Sequence, residues 1–260
     1  MPKRATKGSL SGTTGAGEPF DDLASFALSI VAARAGSNKL NTHFADKLLH
    51  ASMGRSEESY RSVARQMLAM GVAAESIVDD YIPWVARRMG QEWCDDESSF
   101  SEVTIGGTRL QSLLRELAGI WSADSASGPM DRDASVIVAL PQHAQHTLGA
   151  SVLSTRLRRA GLSVRLVMNV SAHTFDRMLH NGTYDAVFIS ASLGDSLDEI
   201  RALAQTAKAR TGARNVPVVV GGTILDEDVD LLTRTGADLA TIDTDEAISF
   251  CNLTPEYSAE

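Results

Sequence analysis

Cysteine is almost absent from this chain. The 260 residues hold two, Cys94 and Cys251, far apart and in unlike surroundings. That excludes a disulfide framework and a thiolate metal cage, both of which need more sulfur. Positive charge is also short: 24 Lys and Arg stand against 33 Asp and Glu, a net charge of -9. A free-standing nucleic-acid binder needs a basic face to neutralise phosphate, so direct DNA binding is not expected. A small basic group, Lys3, Arg4 and Lys7, opens the chain. No apolar run approaches a membrane span. The basic start continues into Gly, Ser and Thr with no apolar core behind it. No secretory signal is read there, and a cytoplasmic protein is expected. What is present is ordinary globular composition, 43% hydrophobic and 22% charged, at a length that allows one large or two ordinary domains.

The chain changes grammar once. Residues 1–19 have almost no large apolar side chain and read as a flexible tail. Residues 20–121 read as helix throughout, a cap of four to five helices. Phe20, Leu23, Phe26, Ala27, Ile30 and Val31 recur at steps of three and four, one apolar face of a first helix. The same spacing returns over 40–53, from Tyr60 to Gly71, over 74–90 with an interruption or restart at Pro83, and over 100–120. Residues 122–134 are a linker by composition, rich in Ser, Ala, Gly and Asp. From 135 to 254, short β-branched runs at 135–140, 163–167, 186–189, 216–220 and 239–242 alternate with helical spacing at 148–160, 172–179, 196–209, 226–233 and 245–250. Strict alternation implies a parallel sheet with right-handed crossovers. The expected fold is α/β: a helical bundle cap followed by a flavodoxin-like, doubly wound, five-stranded parallel sheet. Residues 255–260 are a tail.

In such a sheet the loops after the strands converge on one edge, where ligands bind. The usual ligand motifs are missing. No Gly-x-Gly-x-x-Gly follows the first strand, no P-loop is present, and the first loop has no carboxylate to hold the magnesium of a receiver domain. The first loop instead holds His143 and His146. The third is Ser190-Ala191-Ser192-Leu193-Gly194, and the fourth Gly221-Gly222-Thr223. Small residues there leave room for a bulky ligand and let backbone approach it. Asp243, after the fifth strand, reads as a helix cap.

Ala144-Gln145-His146-Thr147-Leu148-Gly149, then Ser190-Ala191-Ser192, then Gly221-Gly222, resembles the cobalamin-binding signature Asp-x-His-x-x-Gly, Ser-x-Leu, Gly-Gly. The stretch 81–93, ending in Trp93, with Phe100-Ser101-Glu102-Val103 behind it, resembles the helical cap of light-sensing cobalamin regulators and corrinoid methyl carriers. Within that group the arrangement is most similar to the AerR/PpaA photosystem antirepressors. The resemblance spans roughly residues 74–253. It implies cobalamin bound base-off between cap and sheet, with His146 as lower axial ligand to cobalt. A neutral imidazole suits such a metal. Thr147, Leu148 and Gly149 would flank the ligand, and the dimethylbenzimidazole tail would run between the Ser190–Ser192 and Gly221–Gly222 loops. Trp93 would lie over the upper face, with Glu102 and Val103 near it.

The resemblance further implies a transcriptional antirepressor, light-responsive and not an enzyme, acting through a DNA-binding repressor of photosystem genes. Two departures shape this reading. The signature's Asp, which orients the imidazole in many relatives, is Ala144 here. The Glu-His that some light sensors carry above cobalt corresponds to Val103 and Thr104. The first tilts the reading from methyl transfer, the alternative role of a corrinoid carrier, towards sensing; the second means that a bis-imidazole photoproduct using that position is not available. His143 is expected to be a helper of His146 or a solvent-facing residue. A cofactor-free interaction module is a third alternative.

Overall fold

The computed structural model describes residues 40–124, 134–211, 215–227 and 229–253, with side chains described outside 120–124. The helix expected within 20–31, both tails, most of the linker and the side chain of Trp121 lie outside the described residues. The cap begins with α1 (Thr42–Met53), capped by Asn41 and closed at Gly54. Helix α2 (Tyr60–Ala69) is capped by the Ser59 hydroxyl. The interruption expected at Pro83 takes another form. A short turn at Ala74–Ser76 passes into a π-helical turn at Ile77–Tyr81, which runs directly into α3 (Ile82–Cys94). Pro83 falls in the first turn of α3, directly after the π-helical turn, whose closing bond is donated by the Ile82 N–H to Ile77 O. Helix α4 (Phe100–Asp124) completes the cap. The cap core includes Leu48, Met67, Ile77, Tyr81, Ile82, Leu110, Leu113 and Leu117.

The second half is the expected alternation. Strand β1 (Ser135–Pro141) leads to α5 (Leu148–Arg159), β2 (Ser163–Val170), α6 (Ala172–His180), β3 (Ala186–Ser190) and α7 (Leu197–Thr211). Then follow β4 (Val218–Gly221), a 3-10 turn at Thr223–Asp226, α8 (Leu231–Thr235), β5 (Leu239–Ala240) and α9 (Thr244–Phe250). All pairings are parallel, in the order β2-β1-β3-β4-β5. The helix expected over 226–233 is instead the 3-10 turn and the short α8, because Asp230 accepts from the Thr233 N–H and caps a new start. Strand β4 starts two residues later than expected, after Pro217, which has no N–H to donate.

Alternation within the strands sends side chains to two cores. Ile137, Ala139, Val187, Ile189, Val218 and Val220 face a core closed by α6, α7 and α8. Val136, Val138, Leu140, Phe188 and Val219 face the other, closed by α5 and α9. Burial on both faces is why the central strands read as continuous apolar runs.

Helix α5 belongs to both halves of the molecule. Ala150 and Leu157 enter the sheet core, while Val152, with Leu148 beside it, packs into the cap core. Burying the Val152 or the Leu157 side chain contributes roughly 1.5–3 kcal/mol. On the cap-facing side, Arg159 bonds Asp79 of the π-helical turn, and Arg156 lies 3.6 Å from the same carboxylate. Burial, the larger influence, holds Asp79 above the usual carboxylate range despite these arginines. Neither cysteine forms a disulfide: Cys94 is exposed, and Cys251 is buried. Burial and then the charge of Asp238 push the Cys251 thiol up to about 11, so it is unreactive near neutrality.

Candidate functional site

The carboxyl ends of β1, β3 and β4 form one edge, and the three loops singled out by the sequence meet there. The first follows Pro141, where the β1–β2 register shifts. The Ala144 N–H donates to Pro141 O at 3.2 Å, which turns the chain towards α5. His146 is exposed and makes no hydrogen bond or ion pair with the described residues. Both ring nitrogens are therefore open, and the imidazole can ligate a metal. His143 has a partner, which the sequence did not suggest: its Nδ1 lies 2.5 Å from Glu199 Oε1 on α7. This carboxylate, 56 residues away, serves His143 and not His146. Among the described residues no group replaces the absent Asp beside His146.

The third and fourth loops are locked together. Ala191 N–H donates to Gly221 O at 2.9 Å, and Leu193 N–H to the Thr223 hydroxyl at 3.1 Å. Gly194 N–H donates to Glu227 at 3.2 Å, and Ser192 N–H to Asp195 at 2.7 Å. The two glycines were expected to make room for a ligand. The structure gives their smallness a different cause. A Cβ on Gly221 would lie 2.6 Å from Thr241 O, and one on Gly222, at φ +110°, only 2.1 Å from Ala191 O. Their small size is required for loops to pack on each other. Gly149 differs: a Cβ there would meet nothing within 4 Å. The side-chain hydroxyls of Ser190 and Ser192 bond none of the described residues. The α7 start is capped by Ser196, not by either of them.

The cap side presents an aromatic corner between α3 and α4. Trp93 is 49% exposed and Phe100 72%, with ring centroids 6.5 Å apart. Glu102 caps α4, accepting from the Ser99 N–H at 2.8 Å and the Ser99 hydroxyl at 2.7 Å, and from Arg55 at 2.8 Å. Val103 is half-buried against the cap core. From Phe100, helix α4 runs to Gln111, whose amide donates to the Thr147 hydroxyl at 2.8 Å, eleven residues or roughly 16 Å along the axis. The cap is thus tied to the residue next to His146.

Arg55, then the Ser99 donors, hold Glu102 down to about 2 from the usual 4.5. A depressed carboxylate contributes stability that is complete above 4.5 and is lost as pH falls through about 2. Acid titration of the apoprotein followed by tryptophan fluorescence is expected to show a change at the aromatic corner in that window. Glu102→Gln should lack it; a transition of equal size in that variant would assign the change to other carboxylates.

The edge of a doubly wound sheet, an open imidazole and an overlying helical cap define a cofactor-binding module of the corrinoid type, and known proteins agree. Residues 134–249 match the family model of the B12 binding domain. An uncharacterized 20.5 kDa protein in the bchF-crtJ intergenic region of Rhodobacter capsulatus is 36% identical over 185 residues, 71% of this chain and 95% of that protein. This chain belongs to the family of B12-binding domain proteins that includes that relative, and its cofactor is cobalamin. The monomethylamine corrinoid protein of Methanosarcina barkeri superposes with a TM-score of 0.66 over 81% of this chain and 98% of its own, at 16% identity. That likeness is one of fold, a helical region followed by the parallel α/β sheet.

The residues present fit the cofactor. The open space beyond Gly149, the unbonded His146 and the free hydroxyls at Ser190 and Ser192 meet at one edge. Large exposed apolar side chains stand there too, Leu193 at 57% and Ile242 at 71%. No helix among the described residues is long and apolar enough to cross a membrane.

Proposed function

We propose that this protein is a cobalamin-dependent transcriptional regulator, light-responsive and not an enzyme. It holds cobalamin base-off with His146 on cobalt, and relieves repression by acting on a DNA-binding repressor of photosystem genes. The observation that carries this reading is helix α5. It starts two residues after His146, and its side chains Leu148 and Val152 belong to the cap core while Ala150 and Leu157 belong to the sheet core. A change at His146 therefore falls on an element that both halves share. Cobalamin, when bound, would supply a cobalt centre whose ligand set can respond to light or to exchange. The chain's part would be to hold the cofactor through His146, to seat it against the edge where the Ser190 and Gly221 loops meet, and to rest the cap on it through Trp93 and Phe100. Through α5 and the Trp93–Phe100 corner, a change at the cofactor would reach the cap, and a shift in cap position would change the surface offered to a partner.

Ala144 supports sensing over catalysis, since His146 lacks the carboxylate that would raise its basicity. The relative's position in the bchF-crtJ intergenic region agrees with the photosystem-regulator resemblance. The test titrates a repressor–operator complex with protein loaded with hydroxo-, methyl- or adenosylcobalamin, in the dark and after illumination. Release of operator that depends on cobalamin form or on light is expected. No effect on the repressor, together with methyl transfer from methylcobalamin to a thiol or folate acceptor, would overturn the reading in favour of a methyl carrier.

A further inference from the structure

Arg55 lies far from the histidine loop in sequence and carries no part of the cobalamin signature. It is nonetheless the most heavily bonded side chain of the cap corner. Its Nε donates to Glu102 Oε1 at 2.8 Å and its Nη1 to Glu92 Oε2 at 2.9 Å. Its Nη2 donates to Glu97 O at 3.1 Å and to the Ser98 hydroxyl at 2.8 Å. These four acceptors lie on the segment 92–102, which carries Trp93 at one end and Phe100 near the other. The guanidinium is itself well placed. It follows Gly54, which ends α1 in the left-handed conformation, and its own N–H donates to His50 O at 2.9 Å.

The energetic logic is a rigid donor fork holding a corner that has little else to hold it. Trp93 and Phe100 are both exposed, so burial does not fix them. Glu92 is only 6% exposed. It takes a second bond from the Ser98 hydroxyl at 2.9 Å, and Arg88 stands at 3.5 Å. A carboxylate so placed needs a charged partner, and a planar guanidinium can reach Glu92, Glu102 and the intervening turn at once. Lysine, a single ammonium, cannot.

We propose that Arg55 is a positioning residue for the cofactor: through Glu92, Ser98 and Glu102 it sets the Trp93–Phe100 corner at the height at which the pair meets the upper face of bound cobalamin. This rests on the reading given above, in which that corner covers the ligand. Arg55 touches no ligand, and its effect passes entirely through Trp93 and Phe100.

A double-mutant cycle tests it, with cobalamin affinity and the absorption spectrum as readouts, and apoprotein melting as a control. Arg55→Ala is expected to weaken cobalamin binding about tenfold, the lower end for residues that orient a contact group. The spectrum of the bound fraction should keep its base-off, histidine-bound form. Arg55→Lys, which retains charge but not the fan of bonds, should fall between wild type and Arg55→Ala, and it serves if the alanine variant does not fold. In a Trp93→Ala, Phe100→Ala background, Arg55→Lys should have no further effect on affinity. An equal loss in both backgrounds would overturn the proposal and make Arg55 a general stabiliser of the cap. So would unchanged affinity in both Arg55 variants, or a Trp93→Ala, Phe100→Ala protein that binds as tightly as wild type. In that last case a histidine-bound spectrum that still depends on His146 would leave the ligation reading standing.

Discussion

Replacing His146 by alanine is expected to lower cobalamin affinity by about two orders of magnitude, and to abolish the base-off, histidine-bound spectrum of what still binds. Groups that merely orient a metal ligand are worth roughly 10–100-fold, and under the proposed ligation His146 is the ligand itself. The fold has no stake in the side chain. His146 is exposed and bonds nothing among the described residues, so its loss should alter stability by no more than about 0.5 kcal/mol. That separation makes the experiment clean: binding collapses while the melting temperature holds. His143→Ala is the internal control, because His143 is occupied by Glu199 and its removal should leave the histidine-bound spectrum in place. An unchanged spectrum in His146→Ala would remove this residue from cobalt.

The second large effect is expected at Gly222. A methyl there would sit 2.1 Å from Ala191 O on a backbone with φ +110°. Backbone strain of about 1–3 kcal/mol adds to overpacking of about 1–3 kcal/mol. Gly222→Ala should therefore lose about 2–6 kcal/mol in urea unfolding, a large share of an ordinary domain's stability. It should also lose cobalamin binding, because the third and fourth loops separate. Gly149→Ala is the opposite case. Its Cβ meets nothing within 4 Å, and alanine is favoured over glycine in a helix by up to about 1 kcal/mol. The apoprotein should become slightly more stable while cobalamin affinity drops roughly tenfold, about 1.4 kcal/mol. A Gly149→Ala protein that binds as well as wild type would show that the space beyond this residue is not used by the cofactor.

Much of the fold was legible in the chain. Five β-branched runs alternating with helical spacing specify a parallel sheet, because period two and period 3.6 bury different sets of side chains. The strands came within three residues of their observed limits: β2 runs three residues further, to Val170, and at β4 Pro217 delays the start by two. The three loops of the site could be found for the same reason: topology alone brings the carboxyl ends of β1, β3 and β4 to one edge. The π-helical turn at Ile77–Tyr81 was not legible, since the apolar spacing on either side of it is helical and one added residue leaves little trace. Nor was the split at 226–233, where a capping Asp230 competes with continued helix.

What the sequence by itself determined is the cobalamin signature, the departure at Ala144 and the helical cap before it, because each is a matter of residue type at short spacing. What only the tertiary structure decided depends on contacts made across long separations. The chain carries no local sign that Glu199 would take His143, 56 residues away, and leave His146 open. The Arg159 bond to Asp79 spans 80 residues, and Arg55 reaches its four acceptors across 37 to 47. Charged side chains obey no periodicity, so their partners are chosen by packing. The glycine pair shows the same limit from the other side. Gly221-Gly222 could be recognised as a motif, yet only the backbone oxygens of Thr241 and Ala191 reveal that its smallness serves the packing of the loops.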